Sequence, residues 1–276
     1  MVRKAVIAAA AGAGLLLSVA VALAAPKPDL WDRWVAHDPS SPEIVDHSAW
    51  DRFLDSYVVA DHPSGINLLR YGEAREGKAA LDGYVTALEV TAVSKYGRAE
   101  QMAYWINLYN AVTVQVVLDH YPVGSIREIK ISPGLFSSGP WDKKLLKIEG
   151  QAVSLNDIEH RILRPIWKDN RVHYAVNCAS LGCPDLQPVA FTAANTEELL
   201  EKAARAYVNH PRGARFEDGK LVVSSIYDWF EIDFGGSAGD VIDHLRSYAE
   251  GDLSKGLEGY SGKFKSGYDW DLNDLR

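Results

Sequence analysis

Two cysteines, Cys178 and Cys183, are all that the 276 residues contain. So few exclude a scaffold held together by a disulfide framework, and leave a hydrophobic core to carry the fold. Basic runs are missing too. The formal charge is −8, and an acidic chain has no general field with which to draw in nucleic acid, so none is expected as a partner. After residue 24 no apolar run is long enough to span a bilayer. Internal repeats and low-complexity linkers are absent. What is present is ordinary for a globular protein: 47% hydrophobic and 24% charged residues, which argues for a packed core and against disorder.

The N-terminus departs from that pattern. Arg3 and Lys4 precede an uncharged stretch from Ala5 to Ala24, with Leu15-Leu16-Leu17 at its centre and Ala22-Leu23-Ala24 at its end. A positive start, an apolar middle and a small-x-small site make a cleavable signal peptide over residues 1–24. The mature chain is then expected to be exported, periplasmic or secreted, as one globular domain over 25–276. A retained N-terminal membrane anchor is the alternative, because 20 uncharged residues just span a bilayer.

Within that domain, Pro26 to Pro42 reads as an arm that packs after cleavage. Helices are predicted over 48–59, 79–93, 98–120, 195–209 and 237–249 from apolar spacing and caps. The helix 98–120 is apolar on nearly every side, so its Asn107 and Asn110 need partners at a cost of about 1–3 kcal/mol each if they find none. They either tie down neighbouring loops or orient a catalytic group. Hairpins are predicted at 144–153, around Glu149-Gly150, and at 215–223, around Asp218-Gly219. The mixture predicts α+β: a single mixed domain of helices packed on short, mainly antiparallel strands.

Ser154, with Asp157 three residues on, caps a further helix that is expected to end near Leu163, before Pro165. On that helix Glu159 lies about 40° from the apolar stripe and His160 about 140° from it. Glu159 should therefore face the core and His160 the flank or solvent. The partner of Glu159 is either an arginine, Arg164 or Arg171, or a histidine that it orients. Arg171 to Cys178 alternates like a strand, with His173, Ala175 and Asn177 on one face and Tyr174, Val176 and Cys178 on the other. In that geometry Cys178 is a core cysteine. Cys183, between Gly182 and Pro184, sits in a turn able to fold back toward His173, which favours Cys183 as a nucleophile. A bulge at Asn177 would bring in Cys178 instead. The candidate set is Cys183 or Cys178 as nucleophile, His173 as base, Glu159 as its orienter and Asn177 as an oxyanion donor. Asn107, Asn110 and His160 are candidate supporting residues. No cofactor and no metal are expected, since the gap between the cysteines is wide for a zinc site with His173 and His160.

Four stretches carry a resemblance: Tyr104-Trp105-Ile106-Asn107-Leu108-Tyr109-Asn110-Ala111, Leu155-Asn156-Asp157-Ile158-Glu159-His160, His173-Tyr174-Ala175-Val176-Asn177-Cys178-Ala179-Ser180 with Cys183-Pro184, and Tyr268-Asp269-Trp270-Asp271-Leu272-Asn273. Together and in this order they resemble the domain of unknown function 547 family, from about Ala99 to Asn273. The resemblance implies a bacterial exported member, and relatedness to cysteine-peptidase or transglutaminase-like enzymes. Animal relatives carry the domain with glutaredoxin-like and DEP modules.

Three functions follow from these readings. The first is a thiol-dependent hydrolase or transferase acting on peptide or amide bonds. The second is a non-catalytic extracytoplasmic binding or scaffold domain with a Cys178–Cys183 disulfide. The third is a redox-active or metal-binding role. A peptide or protein is the expected partner in the first two.

Overall fold

The computed structural model describes residues 26–134 and 137–275. The signal peptide expected over residues 1–24 lies outside the described residues. The fold is a single α+β domain organised on one helix. In chain order the elements are α1 (Ser48–Tyr57), β1 (Val58–Val59), β2 (Leu68–Leu69), α2 (Tyr71–Ala74), α3 (Lys78–Glu89), α4 (Arg98–His120), β3 (Leu146–Ile148) and β4 (Gln151–Val153). They continue with α5 (Arg164–Trp167), α6 (Thr196–Asn209), β5 (Ala214–Glu217), β6 (Lys220–Ser224), α7 (Ile226–Trp229), α8 (Ala238–Tyr248), α9 (Gly251–Leu257) and β7 (Lys265–Gly267).

Helix α4 is the centre of the main core. Its residues from Gln101 to Leu118 are buried apart from Gln115, as expected of a helix apolar on all sides. Its β-branched residues disfavour helix on their own, so packing holds it. Helices α1 and α3 cover one side, with Trp50 stacked between Phe53 and Tyr84. The arm packs through Trp34, which is buried and edge-on to Trp105 at 5.0 Å. A smaller second cluster joins α6, α8 and α9 to β5 and β6 around Tyr207, Tyr227 and Leu245.

Both hairpins form. β3 pairs with β4 and β5 with β6, each antiparallel, and positive φ at Glu149-Gly150 and Asp218-Gly219 is what two-residue turns of this kind require. β7 then adds in parallel to β6, giving the order β5-β6-β7. Among the described residues no helix is long and apolar enough to cross a membrane.

Three expectations are corrected. Arg171 to Cys178 is not a strand. Residues Asn170–Tyr174 form a 3-10 turn, opened by the Asp169 side chain accepting from the Arg171 N–H. Beyond it, the Asn110 amide donates to the Ala175 carbonyl at 2.9 Å and accepts from the Asn177 N–H at 2.8 Å. Those backbone groups are satisfied by a side chain where a strand would need a neighbour, so the alternating faces assigned to His173 and Cys178 do not exist. Second, the helix after Ser154 does not stop before Pro165. It widens into a π-turn over Asp157–Leu163 and runs on into α5. Pro165 lies within this continuous helix, and the carbonyls one turn before it, of His160 and Arg161, accept instead from the Asp29 and Trp31 N–H groups of the arm. Third, His160 is buried at 5% exposure, not on the flank. The arm lies across it, with the Asp29 N–H on the His160 carbonyl and the Trp31 N–H on that of Arg161.

Candidate functional site at the thiol loop

The loop from Ala175 to Pro184 is held by amides. Asn110 clamps its start from α4. Asn177, buried within it, accepts from the Ala179 N–H at 2.8 Å and donates to the Pro184 carbonyl at 2.7 Å. This closes a tight turn in which Ala179 adopts φ 59°, a strained setting for a residue with a Cβ. The C-terminal segment zips against the turn: the Leu181 and Gly182 N–H groups donate to the Asp271 and Asp269 carbonyls, and the Asn273 N–H to that of Ala179. The approach is so close that a Cβ on Gly182 would lie 2.8 Å from the Asp269 backbone. Asn107 performs a similar clamp one turn earlier, bonding both the N–H and the carbonyl of Phe191.

Both cysteines are free thiols. Their burial is the reverse of that read from the alternation: Cys178 is partly exposed and Cys183 is buried at 4% exposure. The Cys178 N–H donates to Cys183 Sγ at 2.9 Å. Cys178 Sγ lies 3.1 Å from the Tyr268 hydroxyl and 3.2 Å from that of Ser180. Burial pushes the Cys178 thiol up, but the hydrogen bonds from Cys183, Ser180 and Tyr268 outweigh it and bring its pKa below the ordinary thiol value. For Cys183 burial comes first and the neighbouring Cys178 sulfur adds to it, pushing that thiol well up. Tyr268 is likewise pushed well up, by burial and then by the two sulfurs, so its hydroxyl keeps its proton and donates to Cys178.

His173, Glu159 and His160 meet elsewhere. His173 is buried with Nε2 on Asp233 Oδ2 at 2.7 Å and Nδ1 3.7 Å from Glu159 Oε1. Phe230 stacks on its ring at 4.2 Å. Neither ring nitrogen bonds a thiol. Glu159 also accepts from the Tyr109 hydroxyl at 3.1 Å. Burial works against its charge, yet His160, His173 and Arg164 prevail and hold its carboxyl down at about 2. Arg164, one of the two arginines expected as partners of Glu159, binds Asp233 through Nε at 2.5 Å and donates to His160 Nδ1 at 3.0 Å. Arg171 turns away to Asp169 and Glu197. Since Nδ1 of His160 accepts from Arg164, that ring is neutral in this arrangement, in keeping with the lowering of its pKa by burial, and it gains the charge that acts on Glu159 only in acid.

The structure therefore divides the candidate set. Cys178, Cys183 and Asn177 share the thiol loop, with Asn110 behind it. Asn107 ties a different loop. His173, Glu159 and His160 form an ion cluster with Asp233 and Arg164. Asn177 spends its oxygen on the Ala179 N–H and one of its two amide hydrogens on the Pro184 carbonyl. Tyr268, Ser180 and Asp233 were not among the candidates. The first two lie inside the stretches that carried the resemblance, whereas nothing near Asp233 pointed to His173. Among the described residues no group of three or more His, Cys, Asp or Glu is arranged to hold a metal ion.

Residues 93–208 match the family described as "Protein of unknown function, DUF547". The match contains both cysteines, His173 and Glu159, and stops short of Asp233 and Tyr268. No curated protein and no solved structure matches the chain.

Proposed function

We propose that this chain, whose residues 93–208 match the DUF547 family, exchanges thiols and disulfides with partner proteins, using Cys178 as the attacking thiolate and Cys183 as the resolving thiol. One observation carries the reading: two free thiols share a turn, the partly exposed one hydrogen-bonded from several sides and the other buried behind it. A lowered pKa on the accessible cysteine and a raised one on its hidden neighbour is the division of labour such exchange needs.

The Cys178 thiolate attacks one sulfur of a partner disulfide. A mixed disulfide forms and the other partner sulfur leaves as a thiolate. Cys178 then carries no charge, so one of the two effects that raise Cys183 is gone. Cys183 gives up its proton to the departing thiolate, attacks Cys178 Sγ and releases the second partner sulfur as a thiolate. The partner gains two electrons and the chain ends with a Cys178–Cys183 disulfide. Run backward, the same steps oxidise a partner dithiol. The charged-then-apolar N-terminus supports an exported setting, where partners carry disulfides.

A second reading, acyl transfer from peptide or amide bonds through a Cys178 thioester, is favoured by the Tyr268 hydroxyl, which is placed to protonate a leaving group 3.1 Å from the sulfur. Oxidised glutathione separates the two. Exchange predicts that the chain loses both titratable thiols, one intramolecular disulfide forms, and Cys183→Ser arrests at a stable Cys178 mixed disulfide. An enzyme that keeps both thiols in that mixture, and is trapped instead by a peptide thioester, would overturn exchange in favour of acyl transfer.

A further inference from the structure

Five aromatic rings continue outward from Cys178. Tyr268 touches the sulfur through its hydroxyl. Its ring lies 4.8 Å from Trp229 and 4.7 Å from Trp270. Trp229 stacks on Trp270 at 5.6 Å and flanks Phe230, and Trp270 meets Trp141 at 5.9 Å. All five are only partly buried. An open, contiguous aromatic surface beside a reactive group marks a contact site more often than it marks a core.

The backbone just before Tyr268 is also open. β7 is the outer strand of its sheet, with β6 on one side only, and Lys265, Ser266 and Gly267 are all exposed. A Cβ on Gly267 would meet nothing within 4 Å, so another backbone can approach there. An edge of three residues, about 10 Å, thus leads through Tyr268 to the sulfur.

We infer, resting on the exchange reading above, that the partner of Cys178 is an extended polypeptide segment. It adds to the free edge of β7 and presents its own cysteine to Cys178, with a neighbouring apolar side chain on Trp229 and Trp270. Strand addition supplies affinity through main-chain hydrogen bonds and leaves specificity to side-chain contacts. The rim carries exposed Asp228, Asp269 and Asp271 against Arg127, which lies over Trp270, and Lys265. The balance is negative, so the preferred segment is neutral or basic next to its apolar residue.

The test uses the full chain and three probes, each a disulfide with an aryl thiol that leaves as a coloured thiolate when Cys178 attacks: the small symmetric diaryl disulfide, an apolar peptide with a basic flank carrying the aryl thiol on its cysteine, and the same peptide with an acidic flank. The basic peptide is expected to react about tenfold faster than the acidic one, as one good contact is worth. Both peptides also gain over the small reagent by docking; Trp229→Ala, or methylation of alternate backbone nitrogens in the peptide with the protein untouched, is expected to remove most of that gain, read as the ratio of the peptide's rate to the small reagent's in the same protein. Equal rates for both peptides, with N-methylation and Trp229→Ala having no effect, would overturn the docking surface while leaving exchange intact. A small reagent that never modifies Cys178 would instead overturn the exchange reading on which the docking surface rests.

Discussion

His173 and Cys178 stand five positions apart in the chain, and their surroundings are built to opposite ends. Around His173 each charge has its partner: both ring nitrogens face carboxylates, Arg164 holds Asp233, and Phe230 seals the ring. Around Cys178 the sulfur is partly exposed, surrounded by donors and backed by a second thiol. The first cluster spends its hydrogen-bonding capacity on holding the fold together. The second keeps a nucleophile available. A histidine near a cysteine in sequence is therefore weak support for a catalytic pair, because the bonds of the histidine decide what it can do.

The comparison breaks most visibly in reactivity. Cys178→Ser should abolish iodoacetamide labelling of the folded chain, whereas Cys183→Ser should leave labelling in place; mass spectrometry of labelled peptides reads both. The reverse holds for stability. Arg164→Ala leaves Asp233 short of a partner in a buried cluster and should cost about 3–5 kcal/mol in urea unfolding, against less than about 1 kcal/mol for Cys178→Ser.

Acid sharpens the contrast. The carboxyl of Glu159 lies at about 2 in the fold, below its ordinary value of 4.5, so its contribution to stability is present above about pH 4.5 and is lost as pH falls toward 2. Asp233 is lowered by the same logic: burial opposes its charge, but His173 and Arg164 prevail. Unfolding followed by circular dichroism should show a steep loss of stability in that window, reduced in Glu159→Gln. A smaller effect is expected from Tyr268→Phe. Removing one donor to the sulfur should raise the Cys178 pKa by up to about one unit and slow alkylation at fixed neutral pH by up to about tenfold, as read in a stopped assay.

Much of the fold was legible in the chain. The spacing along 98–120 called for a helix buried on all sides, and the Glu149-Gly150 and Asp218-Gly219 pairs demanded their hairpins, because those signals are local. Asn107 and Asn110 were legible as amides in need of partners, and both clamp loop backbones. The site was less legible for a physical reason. The alternation of 171–178 imitates a strand, but the backbone there is satisfied by Asn110 from a helix more than sixty residues earlier. Periodicity cannot register a side chain that replaces a neighbouring strand. The same blindness put His160 on the flank, since the arm that covers it comes from residues 29–31. It also hid Asp233, sixty residues past His173.

The central claim is that Cys178 is the reactive thiol and Cys183 its hidden partner. The most direct test is the alkylation rate of each cysteine in the folded chain as a function of pH, resolved by peptide mass. The account predicts that Cys178 labels along a curve whose midpoint falls below the ordinary thiol value of 9.0, while Cys183 stays unlabelled until the chain unfolds. A midpoint at or above that value, or Cys183 labelling first, would contradict it.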